Sequence, residues 1–147
     1  MQLSRRSFLQ AGTAAGVFAT FPNLIAAELV TGAVKPSGRI NIGIVGCGRI
    51  ANSLEIPNIV KYHALARIVA VCDIDAKRLA YTKARVERDY DKALKTTGTK
   101  IRACARYEDI VADPDIDAVM VCVPDFWHAL VDAAAILAGK SVWAQKP

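Results

Sequence analysis

The sequence contains few aromatic residues and no long run of like charges. Aromatic residues make up only 7% of the 147 positions, and no run of six or more like charges occurs. Without such a run a polybasic arm is not expected, and nucleic acid is not a predicted partner. Hydrophobic residues reach 53% and charged residues 22%, a balance that excludes a disordered or fibrous chain. The length suits one ordinary domain.

The four cysteines lack the spacing of a metal site. They form no C-x-x-C pair and no cluster with the two histidines, so the sequence predicts no bound metal. Three of them lie in apolar runs typical of buried strands, where a free cysteine behaves as a small hydrophobe. A chain that folds in a reducing compartment does not need them as disulfides. We therefore predict that all four are structural and unpaired.

Residues 1–33 have the layout of an export signal. The segment Ser4–Leu9 resembles the twin-arginine motif, and an uncharged stretch rich in Ala, Gly and Thr follows over Ala11–Ala27. Its glycines and Pro22 make it a poor membrane-spanning helix. We therefore predict a twin-arginine signal, a periplasmic or extracytoplasmic location, and no stable membrane insertion once the signal is removed.

Two other interpretations of this segment stay open, an uncleaved anchor and a cytosolic terminus. The cleavage site is also open, because Ile25–Ala27 and Thr31–Ala33 both end in suitable small residues. The net charge of +5 falls by two, to +3, without Arg5 and Arg6. An excess that small does not indicate a charged partner.

From residue 34 onward, short apolar runs alternate with helical patterns. Apolar runs bounded by turn residues predict buried strands, and the 3.6-residue period predicts helices. Such alternation is typical of an α/β fold with a doubly wound parallel sheet, a Rossmann-type domain over residues 34–147. Pro57 is expected to interrupt or kink the first helix. The predicted strands are Arg39–Val45, Ala66–Cys72, Ile101–Ala105, Ala118–Val123 and Ser141–Ala144, and the predicted helices are Ile50–Tyr62, Asp75–Lys95, Tyr107–Ala112 and Phe126–Ala138.

A glycine motif directly follows the first predicted strand and opens the first predicted helix. It has the form G-x-G-x-x-A, a pattern that binds the pyrophosphate of a dinucleotide at a helix start. The first glycine permits the tight turn, the second admits the pyrophosphate, and the alanine keeps helix and strand close. The predicted cofactor-binding residues here are Gly46, Cys47, Gly48, Arg49, Ile50 and Ala51.

Asp73 lies at the tip of the second predicted strand, where a dinucleotide fold places the carboxylate that binds the adenosine ribose. A carboxylate there favours NAD, because the 2′-phosphate of NADP would face a like charge. Lys77 and Arg78 lie nearby in sequence and keep NADP open. The alternative is that Asp73 caps the next helix and the glycines form an ordinary turn.

Four motifs occur in the order found in a known family. Together they resemble the N-terminal half of the Gfo/Idh/MocA oxidoreductases, which include glucose–fructose oxidoreductase and inositol dehydrogenase. The resemblance covers Arg39 to Pro147 and implies a domain that binds NAD or NADP. The motifs are Gly46–Ala51, Asp113–Val119, Pro124–His128 and Lys146–Pro147.

The resemblance implies a second group of cofactor contacts after the fourth strand. The turn Val123, Pro124 and Asp125 would line the cofactor cleft, and His128 would lie on the nicotinamide-ribose side. The alternative is that Asp125 caps the next helix. We further predict that Trp127 and Trp143 pack in the core and that His63 lies at the surface.

The family's Glu-Lys-Pro motif corresponds to Gln145-Lys146-Pro147. By resemblance, Lys146 is the catalytic lysine, and Gln145 and Lys146 contact the cofactor. A lysine beside an oxidised nicotinamide ring has a lowered pKa and serves in proton transfer. Glutamine at 145 removes a carboxylate that could orient or tune that lysine.

The resemblance implies a nicotinamide-dependent oxidoreductase that transfers hydride to or from a secondary hydroxyl of a sugar, cyclitol or glycoside. One alternative is an NAD-recycling glycoside hydrolase or lyase of the same family, and another is a non-catalytic nucleotide-binding module. The family holds its substrate on a C-terminal domain, which we expect beyond Pro147. By resemblance, that domain also carries the remaining acid–base residues and usually the subunit interface. We therefore expect the full-length protein to be a homo-oligomer and residues 1–147 alone to be inactive.

Overall fold

The computed structural model describes residues 38–145, so the predicted signal over 1–33 and the residues Lys146 and Pro147 lie outside the described part. Its strands are β1 (Ile40–Val45), β2 (Ala66–Cys72), β3 (Arg102–Cys104), β4 (Ala118–Val121) and β5 (Ser141–Ala144). A π-helical turn over Ala51–Glu55 leads into the first helix. The helices are α1 (Ile56–Lys61), α2 (Ala76–Leu94), α3 (Tyr107–Val111) and α4 (Asp125–Leu137).

The five strands form one parallel sheet in the order β3-β2-β1-β4-β5. The chain moves outward from β1 to β3, then returns to the other side of β1 for β4 and β5. The strand order therefore reverses between β1 and β4, and their carboxyl ends border the crevice where such folds bind ligands. The predicted doubly wound, Rossmann-type sheet is confirmed.

The apolar strands bury side chains on both faces of the sheet. Ile44 and Ile68 belong to the core on one face, and Val45 and Ala70 belong to the core on the other. Because both faces are covered, the strands are apolar along most of their length rather than alternating with polar residues. This explains why the sequence pattern identified all five strands to within two residues at each end.

The first helix differs from the prediction at Pro57. The backbone is already helical at Arg49, widens into the π-helical turn, and continues as α1 with Pro57 in its first turn. Proline lacks an N–H group and disturbs the usual bonding of the preceding turn. The helix is therefore not interrupted at Pro57. Instead, the turn before Pro57 is widened.

Helix α2 packs one face on the sheet and is capped at both ends. The Asp75 side chain accepts hydrogen bonds from the backbone N–H groups of Lys77 and Arg78, at 2.8 and 3.2 Å. Lys95 ends the helix with a left-handed φ of 52°. On the buried face, the backbone N–H of Ile68 in β2 donates to the Tyr90 hydroxyl at 2.8 Å. Burial raises the pKa of Tyr90, so the hydroxyl stays protonated.

Two predicted core positions are wrong. Trp143 is 63% exposed on the edge strand β5, and Trp127 is 41% exposed on α4. Within residues 38–145, β5 has a neighbouring strand on one side only, so an apolar residue there need not be buried. His63 is half-buried, with its Nδ1 3.0 Å from the carbonyl of Val60. Within residues 38–145, no helix is long and apolar enough to cross a membrane.

Candidate cofactor-binding site

Gly46 makes the turn that brings the ends of β1, β2 and β4 together. Its φ is +96°, and its N–H donates to the carbonyl of Cys72 at 2.8 Å. A Cβ at Gly46 would lie 2.5 Å from the carbonyl oxygen of Cys122. Both the left-handed φ and this close backbone approach require glycine.

Gly48 faces open space at the start of the first helix. A Cβ added there would meet no atom within 4 Å, so packing within the protein does not explain the glycine. The helical backbone begins at Arg49, and a helix start presents free N–H groups that attract phosphate. Ala51, which is fully buried, lets the helix lie close to the sheet. The loop therefore fits a pyrophosphate.

Asp73 is held against the glycine loop. Its Oδ2 accepts the backbone N–H of Cys47 at 2.7 Å, and its Oδ1 accepts the N–H of Asp75 at 2.8 Å. The helix cap is Asp75, so the alternative in which Asp73 caps α2 is wrong. Each carboxylate oxygen retains a further lone pair. Asp73 is thus oriented at the carboxyl end of β2 with acceptor capacity for ribose hydroxyls.

A polar network beneath the loop was not anticipated from the sequence. The side-chain amide of Asn52 lies within hydrogen-bond distance of the carbonyls of Cys47 (2.9 Å) and Gly48 (3.1 Å). The same amide lies 2.9 Å from the hydroxyl of Thr82, a fully buried residue of α2. The network ties the loop carbonyls inward, which fixes the backbone whose N–H groups face the crevice.

Arg85 on α2 completes this network at the π-helical turn. A π-type bond to the carbonyl of Asn52 would come from residue 57, but Pro57 has no N–H group. The Arg85 Nη1 donates to that carbonyl instead, at 2.5 Å, while its Nε lies 3.3 Å from Asp89. The widened turn is thus stabilised by a charged side chain from the neighbouring helix.

The cysteines near the crevice are free and unreactive. Burial is the main cause that raises the pKa of Cys47, Cys72 and Cys122 to about 12. The thiol form therefore persists at neutral pH, and these side chains pack as small apolar groups. Within residues 38–145, no group of three or more His, Cys, Asp or Glu side chains is arranged to hold a metal ion.

A cleft of about 480 Å³ lies between the glycine loop and the start of α2. Three cationic side chains line it, and the Nε of one of them, Arg78, lies 3.6 Å from the Oδ2 of Asp75. An excess of positive charge attracts phosphate groups. The cleft is lined by Cys47, Gly48, Arg49, Asn52, Lys77, Arg78 and Tyr81.

On the other side of β1, the turn after β4 leads into α4. Val123 is half-buried, Pro124 precedes the helix, and Asp125 is its first residue, with no side-chain capping bond. The alternative in which Asp125 caps α4 is therefore wrong. His128 has a side chain only 12% exposed, and its Nδ1 lies 3.5 Å from the Oδ2 of Asp132. The other oxygen of Asp132 is buried and has no hydrogen-bond partner among the described atoms.

At the end of β5, the predicted site residue Gln145 contacts Glu55, a residue that the sequence analysis missed. The backbone N–H of Gln145 donates to the carbonyl of Val121 at 2.9 Å, which fixes Gln145 beside the end of β4. Its side-chain amide donates to the carboxylate of Glu55. Glu55 is a buried acid at the end of the π-helical turn. Its separation of 90 residues from Gln145 gave no sequence signal for this contact.

The structure thus brings most predicted site residues to one edge of the sheet. The glycine loop and Asp73 lie at the ends of β1 and β2, and the turn after β4 and Gln145 lie on the other side of β1. Lys146 lies outside the described residues. A glycine loop and a strand-end acid at the switch point of a parallel sheet define a dinucleotide-binding domain of the Rossmann class.

The chain belongs to the GFO/IDH/MocA family, described as an oxidoreductase family with an NAD-binding Rossmann fold, whose model matches residues 40–147. Inositol 2-dehydrogenase 3 of Saccharopolyspora erythraea is 32% identical over 108 residues, which cover 74% of this chain and 28% of that protein. A glycosyl hydrolase family 109 protein of Solibacter usitatus is 28% identical over 146 residues, covering 98% of this chain and 33% of that protein.

A solved structure gives the same result. The WlbA dehydrogenase of Bordetella pertussis, in complex with NADH and UDP-GlcNAcA, matches with a TM-score of 0.62 and 26% identity. The match covers 74% of this chain and 30% of that one. The chain therefore spans about a third or less of the length of the proteins that it matches.

Proposed function

We propose that this protein is a nicotinamide-dependent oxidoreductase that transfers hydride to or from a secondary hydroxyl of a sugar, cyclitol or glycoside. The observation that carries the proposal is the contact between Asp73 and the N–H of Cys47 at 2.7 Å. It joins the carboxylate that would bind the ribose to the loop that would bind the pyrophosphate, which supports a single dinucleotide site formed by both. Membership of the family supports the redox chemistry.

The residues of the crevice suit NAD in distinct ways. The loop over Gly46–Ala51 would receive the pyrophosphate, and Asp73 would accept hydrogen bonds from the adenosine ribose hydroxyls. The turn Val123–Asp125 and His128 would line the nicotinamide half. NAD supplies the hydride acceptor when bound, and the protein supplies orientation and proton transfer. The cationic side chains of the cleft keep NADP as a possible second cofactor.

Lys146 is proposed as the group that moves the hydroxyl proton. It directly follows Gln145, which lies at the carboxyl end of β5, the edge at which parallel sheets bind ligands. Oxidation of a secondary alcohol releases a proton as well as a hydride, and an amine with a lowered pKa accepts that proton. The substrate itself would be held by a further domain, as the greater length of the relatives suggests.

The proposal is tested with the full-length protein and NAD⁺ on a panel of sugars, cyclitols and glycosides, with the absorbance of reduced nicotinamide as the measurement. We expect substrate-dependent formation of NADH, and loss of the reaction in Lys146→Ala. Binding of the dinucleotide without NADH formation on any substrate would count against a dehydrogenase.

A second candidate is a glycoside hydrolase or lyase that oxidises the sugar transiently and returns the hydride to it. The similarity to a glycosyl hydrolase family 109 protein over 98% of this chain supports it. Product analysis separates the two, because release of the aglycone without net NADH favours the second. A third candidate, a non-catalytic nucleotide-binding module, predicts that Lys146→Ala keeps the full biological effect.

We also propose export by the twin-arginine route to a periplasmic or extracytoplasmic location. The paired arginines Arg5 and Arg6 precede an uncharged segment of low hydrophobicity, as this route requires. The test is fractionation of cells that express the wild type or Arg5→Lys/Arg6→Lys. Export of the wild type alone is expected, and equal export of both would contradict the proposal.

A further inference from the structure

Glu55 is a buried acid with a neutral partner. It is 6% exposed, and its Oε1 accepts a hydrogen bond from the side-chain amide of Gln145. Among residues 38–145, no lysine, arginine or histidine forms a salt bridge with it. A buried carboxylate is unfavourable unless a positive charge or several hydrogen bonds compensate for it. This position is therefore suited to a cation.

The position of Glu55 along the sheet edge indicates which cation. Gln145 is fixed beside Val121, so the Glu55 carboxylate lies at the carboxyl ends of β4 and β5. Consistent with this, the negative charge of Glu55 adds to burial in raising the pKa of Cys122, the residue after β4, to about 12. Asp73 lies at the end of β2, on the far side of β1.

A dinucleotide bound across the switch point has its two halves on opposite sides of β1. If the adenosine ribose lies at Asp73, the nicotinamide half extends over β4 and β5, toward Glu55. The oxidised nicotinamide ring carries a positive charge that the reduced ring lacks. A carboxylate at this end consequently interacts differently with the two redox states of the cofactor.

We propose that Glu55 is a positioning residue that holds the Gln145 side chain. We further propose that its charge makes the nicotinamide end of the crevice bind NAD⁺ more tightly than NADH. This inference rests on the proposed function. It also gives a reason for glutamine at position 145. The family's motif has a glutamate there, and in this chain Glu55, the partner of Gln145, supplies the carboxylate instead.

The test compares the affinities of NAD⁺ and NADH for the wild type and for Glu55→Gln by calorimetry at one fixed salt concentration. Removal of the charge should weaken NAD⁺ binding roughly three- to tenfold while NADH binding changes little. The double variant Glu55→Gln/Gln145→Glu returns a carboxylate to the same contact and should restore the ratio. A merely structural role would weaken both nucleotides equally.

An unchanged ratio of NAD⁺ to NADH affinity in a folded Glu55→Gln protein overturns the inference and leaves the proposed function intact. Failure of the wild type to bind either nucleotide overturns the proposed function itself, and the inference with it. If Glu55→Gln does not fold, Glu55→Asp carries the test. Because aspartate is one methylene shorter, its carboxylate lies further from the ring, and the preference for NAD⁺ over NADH should be smaller than in the wild type. An unchanged preference would overturn the inference.

Discussion

At the residue scale, the two glycines of the motif are required for different physical reasons. Gly46 is required by its own backbone, since its φ is +96° and the carbonyl of Cys122 occupies the space of a side chain. Gly48 has open space around it, so the constraint on it comes from the ligand that the loop is proposed to bind. The motif pattern identified both positions, but only the structure separates the two reasons.

The first prediction concerns folding at Gly46. Gly46→Ala forces a Cβ onto backbone atoms in a left-handed conformation, and we expect it to lower the free energy of unfolding by about 2–4 kcal/mol. Denaturant unfolding measures this loss. Gly48→Ala is the matched control, and its free energy of unfolding should lie within about 0.5 kcal/mol of the wild-type value. Equal stability of the two variants would refute the account of Gly46.

The second prediction concerns the choice of cofactor at Asp73. In Asp73→Asn the charge that repels a 2′-phosphate is removed, while Arg49, Lys77 and Arg78 still line the cleft. We expect the ratio of NADPH to NADH affinity to rise by about tenfold, because a single close charge is worth on the order of 1 kcal/mol or more.

Fluorescence titration with both nucleotides measures this ratio. Asp115→Asn serves as the charge-matched control, because Asp115 lies in the turn before β4, at the opposite edge of the sheet. A ratio that changes equally in both variants, or in neither, would show that Asp73 does not face the adenosine ribose.

At the scale of elements, the sequence predicted the strands and helices well and their interactions poorly. Periodicity and turn residues depend on neighbours in sequence, so every predicted element exists. The contact of Asn52 with Thr82 spans 30 residues, and that of Glu55 with Gln145 spans 90. Such pairs follow from packing, which a local pattern does not contain. The π-helical turn escaped prediction because it depends on Arg85 of another helix as well as on Pro57.

The Glu87 carboxylate of α2 forms a hydrogen bond to the backbone just before β3, and its pKa is shifted. The Oε1 of Glu87 accepts hydrogen bonds from Lys83 Nζ at 2.6 Å and from the N–H of Ile101 at 3.0 Å. These bonds hold the pKa of Glu87 below its ordinary value of 4.5, with the bond from Lys83 as the largest cause. A lowered pKa means that the charged form stabilises the folded state.

The third prediction follows from the lowered pKa of Glu87. The stabilisation by Glu87 is fully present above pH 4.5 and is lost as the pH falls through the lower pKa of the folded state. Glu87→Gln should therefore be less stable than the wild type by about 1 kcal/mol at pH 7, with the difference shrinking at more acidic pH. Thermal unfolding across this range measures it, and a difference that persists unchanged at acidic pH would contradict the account.

At the scale of the whole molecule, the proposed place of cofactor binding follows from the strand order. Within residues 38–145 the strand order reverses between β1 and β4, the point at which such sheets bind ligands, and the glycine loop and the end of β4 both border it. The fold class was predictable because parallel strands buried on both faces have a distinctive apolar pattern. The exposure of Trp127 and Trp143 was not, because it depends on which elements lie at the edge of the sheet.

The central claim is that the Gly46–Ala51 loop binds a nicotinamide dinucleotide, and a thermal-shift titration with NADH tests it most directly. A ligand that binds only the folded state raises the free energy of unfolding, by about 2.7 kcal/mol at a concentration 100 times its Kd. We predict a saturable rise in Tm for the wild type. Gly48→Ala, whose added Cβ would enter the open space where the pyrophosphate is proposed to bind, should keep the starting Tm and lose the rise. No rise in the wild type, or the same rise in both proteins, would contradict the account.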